Sequence, residues 1–424
     1  MDATPQQSIV GGSHNSQFPV PDSAAAHQTA WTTIFLIYAL CVLGASSVSQ
    51  AVPVIGDIAR LFHLTRPEGG WVISLPSALG ALGALAAGWL VDKVGDKPTL
   101  LAGCALLIVG DIGVVWAASF PVLLSFRALE GVGYVGVAVA TVTMIARITQ
   151  GKRRTVALAL WSSFVPMSFA IPLVLAGLIA GAANWHWAFL GHAILTLVLA
   201  LAGLTLPRWR RDAATPSRTT GLSAVLRSAP VYALGIAFAC GAFAQTGMVS
   251  TLPEALTSRY GISFGLASAI GTLGMLSNVA GCLIMGPLLN RGYSTVKLAV
   301  GSTAVALVAA LVLCLTTLPL WGSVVAAIVF FYAAGLVVGF WALLPLVAPN
   351  PTARGATSGL VTQLTLWGVM FGPPAAFAAH ANGAAQAINY VAAWVMCALL
   401  LVFVIYRTGP AAGPARAPEA PGRI

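Results

Sequence analysis

The sequence predicts an all-α membrane protein in which twelve transmembrane helices form two pseudo-symmetric six-helix bundles. Apolar stretches of about 20 residues follow one another along the chain, and each is long enough to cross a hydrocarbon core of roughly 30 Å as a helix. Hydrophobic residues make up 58% of the chain and charged residues only 8%, which is far from the composition of soluble proteins. Most of the 21 Lys and Arg residues lie in every second gap between the stretches, as expected of cytoplasmic loops.

The distribution of basic residues also predicts orientation and partners. The opposite gaps carry only Arg60, Arg66 and Arg259, so both termini are predicted to be cytoplasmic in a multi-pass protein of the bacterial inner membrane. The same bias, with attraction to anionic lipid head groups, accounts for the net charge of +10 without nucleic acid. The expected partners are therefore membrane lipid, a small-molecule solute and protons, and the chain is expected to be a monomer.

The segments follow from the apolar pattern and the gaps. We expect a disordered tail at 1–30, a first bundle at 31–206, a cytoplasmic linker at 207–229, a second bundle at 230–406 and a disordered tail at 407–424. The predicted helices cover 31–54, 69–91, 99–118, 121–146, 155–181, 187–206, 230–251, 265–289, 298–317, 321–346, 356–379 and 386–406.

The two halves of the chain share internal similarity. Gly83 and Gly88 precede a charged pair at the end of the second helix, and Gly281 and Gly286 precede Asn290-Arg291 at the same spacing in the eighth. The Leu-x-Leu-Trp segments ending at residues 161 and 367 also correspond. Weak repeats of this kind are typical of transporters, whose substrate site lies near the membrane midplane between the repeats.

A glycine-rich charged loop follows the second helix. Gly88 permits close helix approach, Asp92 can meet the positive end of a neighbouring helix, and Gly95 permits a tight turn. The segment resembles the signature loop of the major facilitator superfamily, although Asp96 stands where that motif has a basic residue. The resemblance implies a twelve-helix transporter in which this loop latches the outward-facing state. The expected latch residues are Gly88, Asp92, Lys93, Gly95 and Arg147, the last as a partner of Asp92.

Three charged residues lie inside predicted helices. Arg127, followed by glycines four and six positions later, resembles a second motif of the same superfamily. Arg127 and Glu130 share a helix face, and Asp111 lies at the same depth on the preceding helix, roughly 11–12 Å below the outer surface. Such charges must face protein or water. We expect an ion pair of Arg127 with Asp111 or Glu130, serving either as a static support or as a proton relay. His192 is assigned to packing.

The expected substrate path is polar but mostly uncharged, and prolines mark its hinges. Pro166 and Pro172 in the fifth helix and Gly372-Pro373-Pro374 in the eleventh are candidate breaks. Arg154-Thr155 followed by Leu160-Trp161-Ser162 resembles the cyanate-porter branch of the superfamily, which includes carriers of small anions and organic acids, although the first helix lacks the Arg that usually stands there before a Pro. The candidate solute-binding residues near mid-depth, each of which could equally join helices, are Gln50, Tyr134, Trp161, Gln245, Asn278, Gln363 and Trp367.

The predicted function is secondary active transport by alternating access, moving a small organic solute or a small anion, with proton coupling as an option. One alternative is a drug/proton antiporter that exports hydrophobic compounds, although the fifth helix lacks the paired glycines typical of that group. Another is a transporter-like sensor. A pump or an enzyme is disfavoured, because Gln150-Gly151-Lys152-Arg153 lacks the Ser or Thr of a phosphate-binding loop and no HExxH or GxSxG occurs. No cofactor or metal is expected, since no CxxC pair is present.

Overall fold

A computed structural model of the chain describes residues 31–149, 151–179, 185–207, 222–350, 353–380 and 382–409, and these residues form helices and short connections without a strand. The tails predicted at 1–30 and after residue 409, and most of the predicted linker, lie outside the described residues. The α-helices, in chain order, are α1 Trp31–Ser49, α2 Ile55–Leu61, α3 Arg66–Val94, α4 Asp96–Val115, α5 Phe120–Ile148, α6 Gly151–Ser162, α7 Phe164–Ile179, α8 Trp185–Gly203, α9 Leu222–Leu226, α10 Ala229–Tyr260, α11 Phe264–Asn290, α12 Thr295–Leu315, α13 Leu320–Val338, α14 Leu344–Val347, α15 Arg354–Ala379 and α16 Gly383–Thr408.

Much of this helical structure can cross a membrane. Within the described part of the chain, nine helical segments are long and apolar enough to span a bilayer. The predicted second and eleventh helices are observed as α3, with 29 residues, and α15, with 26 residues. The prediction of an all-helical membrane protein is therefore confirmed. The nine segments are Trp31–Leu61, Asp96–Val115, Phe120–Ile148, Trp185–Gly203, Ala229–Tyr260, Phe264–Asn290, Thr295–Leu315, Leu320–Val347 and Gly383–Thr408.

The helices run back and forth between two faces, which we name after two glycines. The Gly261 face carries the turns at 62–65, 116–119, 261–263 and 316–319, and the Gly95 face carries the turns at Gly95, Thr149 and 291–294. Both glycines have positive φ angles, 63° at Gly261 and 106° at Gly95, so each ends a helix in a conformation that other residues rarely adopt. The charge pattern of the sequence predicts that the Gly95 face is cytoplasmic.

Two of the predicted helices are interrupted near a proline, and a third is not. The predicted first helix is interrupted after Ser49 by a short 3-10 turn that contains Pro53, and continues as α2. The predicted fifth helix divides at Ser163, three residues before Pro166, because a proline has no N–H to give to the preceding turn. In contrast, Pro373 and Pro374 do not interrupt α15, which continues to Ala379. The Gly372-Pro373-Pro374 segment is thus not a visible break.

The neighbours of each helix follow the same order in the two halves of the chain. In the first half, α1 packs on α7 and α8, α3 on α5, and α4 on α5 and α8. In the second half, α10 packs on α15 and α16, α11 on α13, and α12 on α13 and α16. Among the described helices, the extensive contacts between the halves are those of α3 with α15 and α7 with α11.

The halves meet closely near the Gly261 face. Gly70 of α3 lies against α15 so tightly that a Cβ atom there would come within 2.4 Å of the Pro374 Cα atom. Arg66, four residues earlier, forms an ion pair of 3.5 Å with Glu254 of α10. The Trp71 and Phe371 rings add an edge-to-face contact with centroids 5.9 Å apart. Close packing at a glycine, an ion pair and an aromatic pair thus close this end of the interface between the halves.

Candidate functional site: a buried charge network in the first half

The network starts from a proline in α3. Pro76 has no N–H, so the carbonyl of Val72, one turn earlier, loses its helical partner. The Arg127 Nε of α5 donates to this carbonyl at 2.7 Å, and its Nη2 donates to the next carbonyl, Ile73 O, at 3.3 Å. Gly131 lies one turn below Arg127, where a Cβ atom would come within 2.5 Å of the Pro76 carbonyl oxygen. The Arg-x-x-x-Gly spacing therefore fits α5 to the proline of α3.

A carboxylate on the same helix neutralises Arg127. The Arg127 Nη1 donates to Glu130 Oε2, and both side chains are fully buried. The guanidinium also lies 5.7 Å from the centroid of the Phe189 ring of α8. Of the two ion pairs that the sequence allowed, the observed one is Arg127 with Glu130. Asp111 of α4 lies near enough to interact electrostatically with both residues.

Asp111 binds partners on two other helices. Its Oδ1 accepts a hydrogen bond of 2.7 Å from Gln50 Nε2 at the end of α1. Its Oδ2 lies 2.7 Å from His192 Nδ1 of α8, and the other ring nitrogen, Nε2, lies 2.9 Å from the Leu43 carbonyl of α1. Asp111 is fully buried and His192 is 7% exposed. The network therefore joins five helices, α1, α3, α4, α5 and α8, through one histidine, one arginine and two carboxylates.

Glycines let these helices come close enough for the bonds to form. A Cβ atom at Gly110 of α4 would lie 2.4 Å from Glu130 Cγ, and one at Gly113 would lie 2.1 Å from the Phe126 ring. About two turns away from Gly110, Gly103 of α4 faces Gly133 of α5 across the same interface. Small residues at a helix interface allow close approach in a membrane, and here they place the carboxylate of α5 beside that of α4.

A cavity of about 500 Å³ borders the network on its α8 side. Residues of α1, α2, α7 and α8 line it, among them Gln50 and His192. Asp57 and Arg60, an ion pair on α2, lie at its Gly261 end. The Arg60 side chain is 72% exposed, so the cavity reaches the molecular surface there. The other walls are mostly apolar.

The remaining candidate solute residues are spread over both halves. Tyr134 is buried in α5 near Gly44 of α1. Asn278 is fully buried and donates a hydrogen bond of 2.9 Å to the Phe331 carbonyl of α13, so it joins two helices. Gln245 is buried in α10.

Two tryptophans and one amide stay partly accessible. The Trp161 indole Nε1 lies 3.3 Å from Thr141 Oγ1, and its ring lies 4.8 Å from that of Phe164. Gln363 and Trp367 lie one turn apart on α15 and are half-buried. The Gln363 Oε1 has no hydrogen-bond partner among the described residues.

The loop at the Gly95 face contains a different ion pair from the expected one. Arg147 Nη1 donates to Asp96 Oδ2 at 2.9 Å, and Asp96 is 1% exposed. Asp96 begins α4, where a negative charge suits the positive helix end. Lys93 is exposed near the end of α3. Gly88 and Asp92 lie in the last turns of α3, where the surroundings of both residues lie outside the described part of the structure. The expected pairing of Asp92 with Arg147 therefore stays a prediction.

Sequence reasoning missed two members of these networks. His192 was assigned to packing. However, His192 and Asp111 both lie within about two turns of the Gly261 end of their helices, and this similar depth could have suggested that they meet. Asp96 was treated only as a departure from the motif. The neighbouring Lys97 donates its Nζ to the Leu204 and Leu206 carbonyls after α8, and so ties two helices at the Gly95 face.

The fold and the network together define an integral membrane protein of the multi-pass helical class, with its buried charges turned toward protein. The sequence profile of the Major Facilitator Superfamily matches residues 34–373. The chain therefore belongs to the Major Facilitator Superfamily, as the resemblance of its motifs implied.

Several transporters are similar to parts of the chain. The arabinose-proton symporter of Escherichia coli strain K12 is 29% identical over 167 residues, 38% of this chain and 34% of the relative. The 3-(3-hydroxy-phenyl)propionate transporter of the same strain is 29% identical over 184 residues, 43% of this chain and 44% of the relative. The MFS-type transporter poxA of Penicillium oxalicum is 27% identical over 216 residues, 48% of this chain and 36% of the relative. The matched regions thus span less than half of each relative.

Solved structures share the fold over most of the chain. A bacterial homologue of the human lysosomal transporter Spinster, in an inward-facing and unoccupied conformation, superposes with a TM-score of 0.67. The match covers 89% of this chain and 96% of that one at 18% sequence identity. The inward-facing, occupied form of a bacterial Spinster homologue gives a TM-score of 0.65.

Proposed function

We propose that the chain is a proton-coupled secondary active transporter of a small polar organic solute. Two six-helix bundles, 31–206 and 230–406, rock around a site between them, in a monomer of the inner membrane with both termini cytoplasmic. Two observations together carry this proposal. The halves contact each other mainly through α3 with α15 and α7 with α11, and the buried charge network lies in the first half. A carrier needs such an interface to open and close at alternate ends.

The described contacts favour a state closed toward the outside. Gly70 with Pro374 and Arg66 with Glu254 hold the halves together near the Gly261 face, and Gly271 of α11 packs on Leu173 of α7 on the same side. If the Gly95 face is cytoplasmic, as the charge pattern predicts, this state is inward-facing. The similar Spinster homologues were solved in inward-facing conformations.

The solute class follows from the partly accessible side chains. Trp161 of α6 lies in the first half and Gln363 and Trp367 of α15 lie in the second, and these partly accessible side chains offer indole faces and an amide. Indoles cover apolar faces and amides hydrogen-bond hydroxyl groups, which suits a hydroxylated or aromatic solute. The similar transporters named for arabinose, galactose and 3-(3-hydroxy-phenyl)propionate carry solutes of this kind.

Proton coupling rests on Asp111, Arg127 and Glu130. Two of the similar proteins are sugar-proton symporters. A carboxylate buried in a membrane must be neutralised by a cation or by a proton, and the two carboxylates here face one permanent cation. The network can therefore change its proton content during the transport cycle.

A solute screen tests the proposal. Purified protein is melted with arabinose, galactose or 3-(3-hydroxy-phenyl)propionate, and a bound solute at a hundredfold excess over its Kd stabilises by about 2.7 kcal/mol. Proteoliposomes should then accumulate that solute when the side facing the Gly261 face is acidic, and Trp367→Ala should weaken its binding at least tenfold. Accumulation without dependence on a proton gradient would remove the coupling. Proton-driven efflux of a hydrophobic dye, without uptake of these solutes, would favour the antiporter alternative instead.

A further inference from the structure

We propose that Asp111 and His192 form a binding site for one proton, reached from the Gly261 face through the cavity between α1, α2, α7 and α8. The site deepens the proposed function, because it names where the coupling proton is held, and it makes His192 the residue through which the proton enters. From the sequence, either Asp111 or Glu130 was expected to gain a proton in a relay, and His192 was assigned to packing.

The hydrogen-bond geometry fixes the number of protons on the pair. The Leu43 carbonyl can only accept, so the 2.9 Å contact requires a proton on His192 Nε2. The 2.7 Å contact between Nδ1 and Asp111 Oδ2 requires a second proton between these atoms. Whether that proton sits on the imidazole or on the carboxyl group, the pair holds one proton more than a neutral histidine beside a carboxylate. The structure therefore shows the loaded form.

With Arg127 and Glu130 both ionised, the charges around the pair balance only in this loaded form. From α5, Arg127 and Glu130 face it and neutralise each other, and from α1, Gln50 contributes an uncharged amide. The ion pair of Asp57 and Arg60 on α2 lies farther out along the cavity, and α7 presents no charged side chain among its described residues 164–175. Loss of the proton leaves one net negative charge in the buried network, which is unfavourable unless water reaches it.

The cavity supplies that route, and His192 is the titratable member of the network that borders it. Asp111, Arg127 and Glu130 are each 0% exposed, whereas His192 lines the cavity wall. The cavity extends to Asp57 and Arg60 at the Gly261 face, where Arg60 is exposed. A proton from that face therefore meets the imidazole first and passes to the carboxylate over one 2.7 Å hydrogen bond.

Release of the proton has a structural consequence. In the unloaded pair the remaining ring proton is favoured on Nδ1, because there it faces the Asp111 carboxylate. Nε2 then presents a lone pair to the Leu43 carbonyl, so the hydrogen bond between α8 and α1 is lost. Proton binding is thereby linked to the contact between these two helices.

The test uses a single-histidine protein. The chain has six histidines, and replacement of the five outside the network with Asn or Gln leaves His192 as the one ring visible in 15N NMR of histidine-labelled protein. No solute is added. As the pH rises, Nε2 should lose its proton and Nδ1 should retain one. Asp111→Asn should displace the midpoint of this change by at least tenfold in proton concentration. A ring that keeps Nε2 protonated from pH 5 to 10, or a midpoint unchanged by Asp111→Asn, would overturn the proposal.

Access through the cavity is tested in the same protein. A Cβ atom at Gly191, which lines the cavity, meets nothing within 4 Å, so Gly191→Leu fills the cavity without a backbone clash. This change should slow the exchange of the His192 ring proton with water about tenfold, measured by saturation transfer, while the midpoint stays. Gly301→Leu, at an equally open position on α12, is the matched control. Unchanged exchange in Gly191→Leu would overturn the route. Because these measurements need no solute, a chain that titrates as described yet accumulates none of the screened solutes would contradict only the proposed function.

Discussion

The corresponding helix pairs α3–α5 and α11–α13 are held together by different chemistry. In the first half, Arg127 of α5 binds the Val72 carbonyl that Pro76 leaves without a partner. In the second half the backbones approach directly, and a Cβ atom at Gly335 of α13 would lie 2.1 Å from the Asn278 carbonyl oxygen. Between these two helices, the Asn278 amide of α11 also donates a hydrogen bond to the Phe331 carbonyl of α13.

This difference shows how one packing pattern can hold buried charges in one half only. The spacing that relates Gly83 to Gly281 also relates Pro76 to Gly274, whose missing side chain leaves room for the Phe331 ring. A proline creates an orphan carbonyl that a cation can satisfy, whereas a glycine creates none. Within the described residues, the buried charged side chains all belong to the first half: Asp96, Lys97, Asp111, Arg127 and Glu130, with His192 beside them.

The largest expected effect comes from breaking the ion pair of the first half. Arg127→Ala leaves Glu130 buried without its cation, which costs about 3–5 kcal/mol for a buried pair. The matched change in the second half, Asn278→Ala, removes one interhelical hydrogen bond, for which measured averages in membranes are about 0.6 kcal/mol and the largest values about 1.7 kcal/mol. Unfolding by a denaturing detergent measures both free energies.

A double variant separates the loss of charge balance from the loss of packing. Arg127→Leu with Glu130→Leu removes both charges and should recover most of the stability lost by Arg127→Ala, since apolar replacements of a buried pair are often neutral. If Arg127→Ala lowers the free energy of unfolding by no more than Asn278→Ala does, the contrast between the two halves is contradicted.

The second test addresses the close packing of the second half. Gly335→Ala forces a methyl group against the Asn278 backbone, and such overpacking costs typically about 1–3 kcal/mol. Gly301→Ala on α12, where a Cβ atom meets nothing within 4 Å, is the control and should be neutral or slightly stabilising. If the two variants unfold at the same denaturant concentration, direct backbone approach does not hold α11 to α13.

The sequence predicted the class of fold because hydrophobic length and charge bias are local properties. It also predicted that Arg127 would pair within the membrane, since Glu130 shares its helix face and no other cation lies at that depth. It did not predict the partners of Asp111, because Gln50 and His192 reach it from helices that are distant in sequence. Their proximity depends on how α1 and α8 rotate against α4, which apolar periodicity leaves open when every face is apolar.

The predicted helix breaks show the same limit. Pro166 is accompanied by the interruption at Ser163, but Pro373 and Pro374 lie in an unbroken helix. The difference is tertiary: α15 is packed against Gly70 of α3 at these prolines, and against Thr246 of α10 at the neighbouring Gly372. Contacts on both sides can hold a helix in place where its own hydrogen bonds are missing, and a single sequence does not show those contacts.

The smallest expected effect lies where the two halves meet at the Gly261 face. Burial lowers the pKa of His380, at the end of α15, from its ordinary value; nearby Glu254 opposes this effect and Arg66 and Arg259 add to it. Since the folded pKa lies below the unfolded one, unfolded protein takes up the proton first, and stability falls as the pH drops through the ordinary histidine value. Wild-type protein should therefore lose more Tm between pH 8 and pH 5 than His380→Gln does. His63→Asn, at an exposed position of the same face, is the control and should lose as much Tm as wild type between these pH values. If His380→Gln also loses as much Tm as wild type, this contact between the halves does not respond to pH.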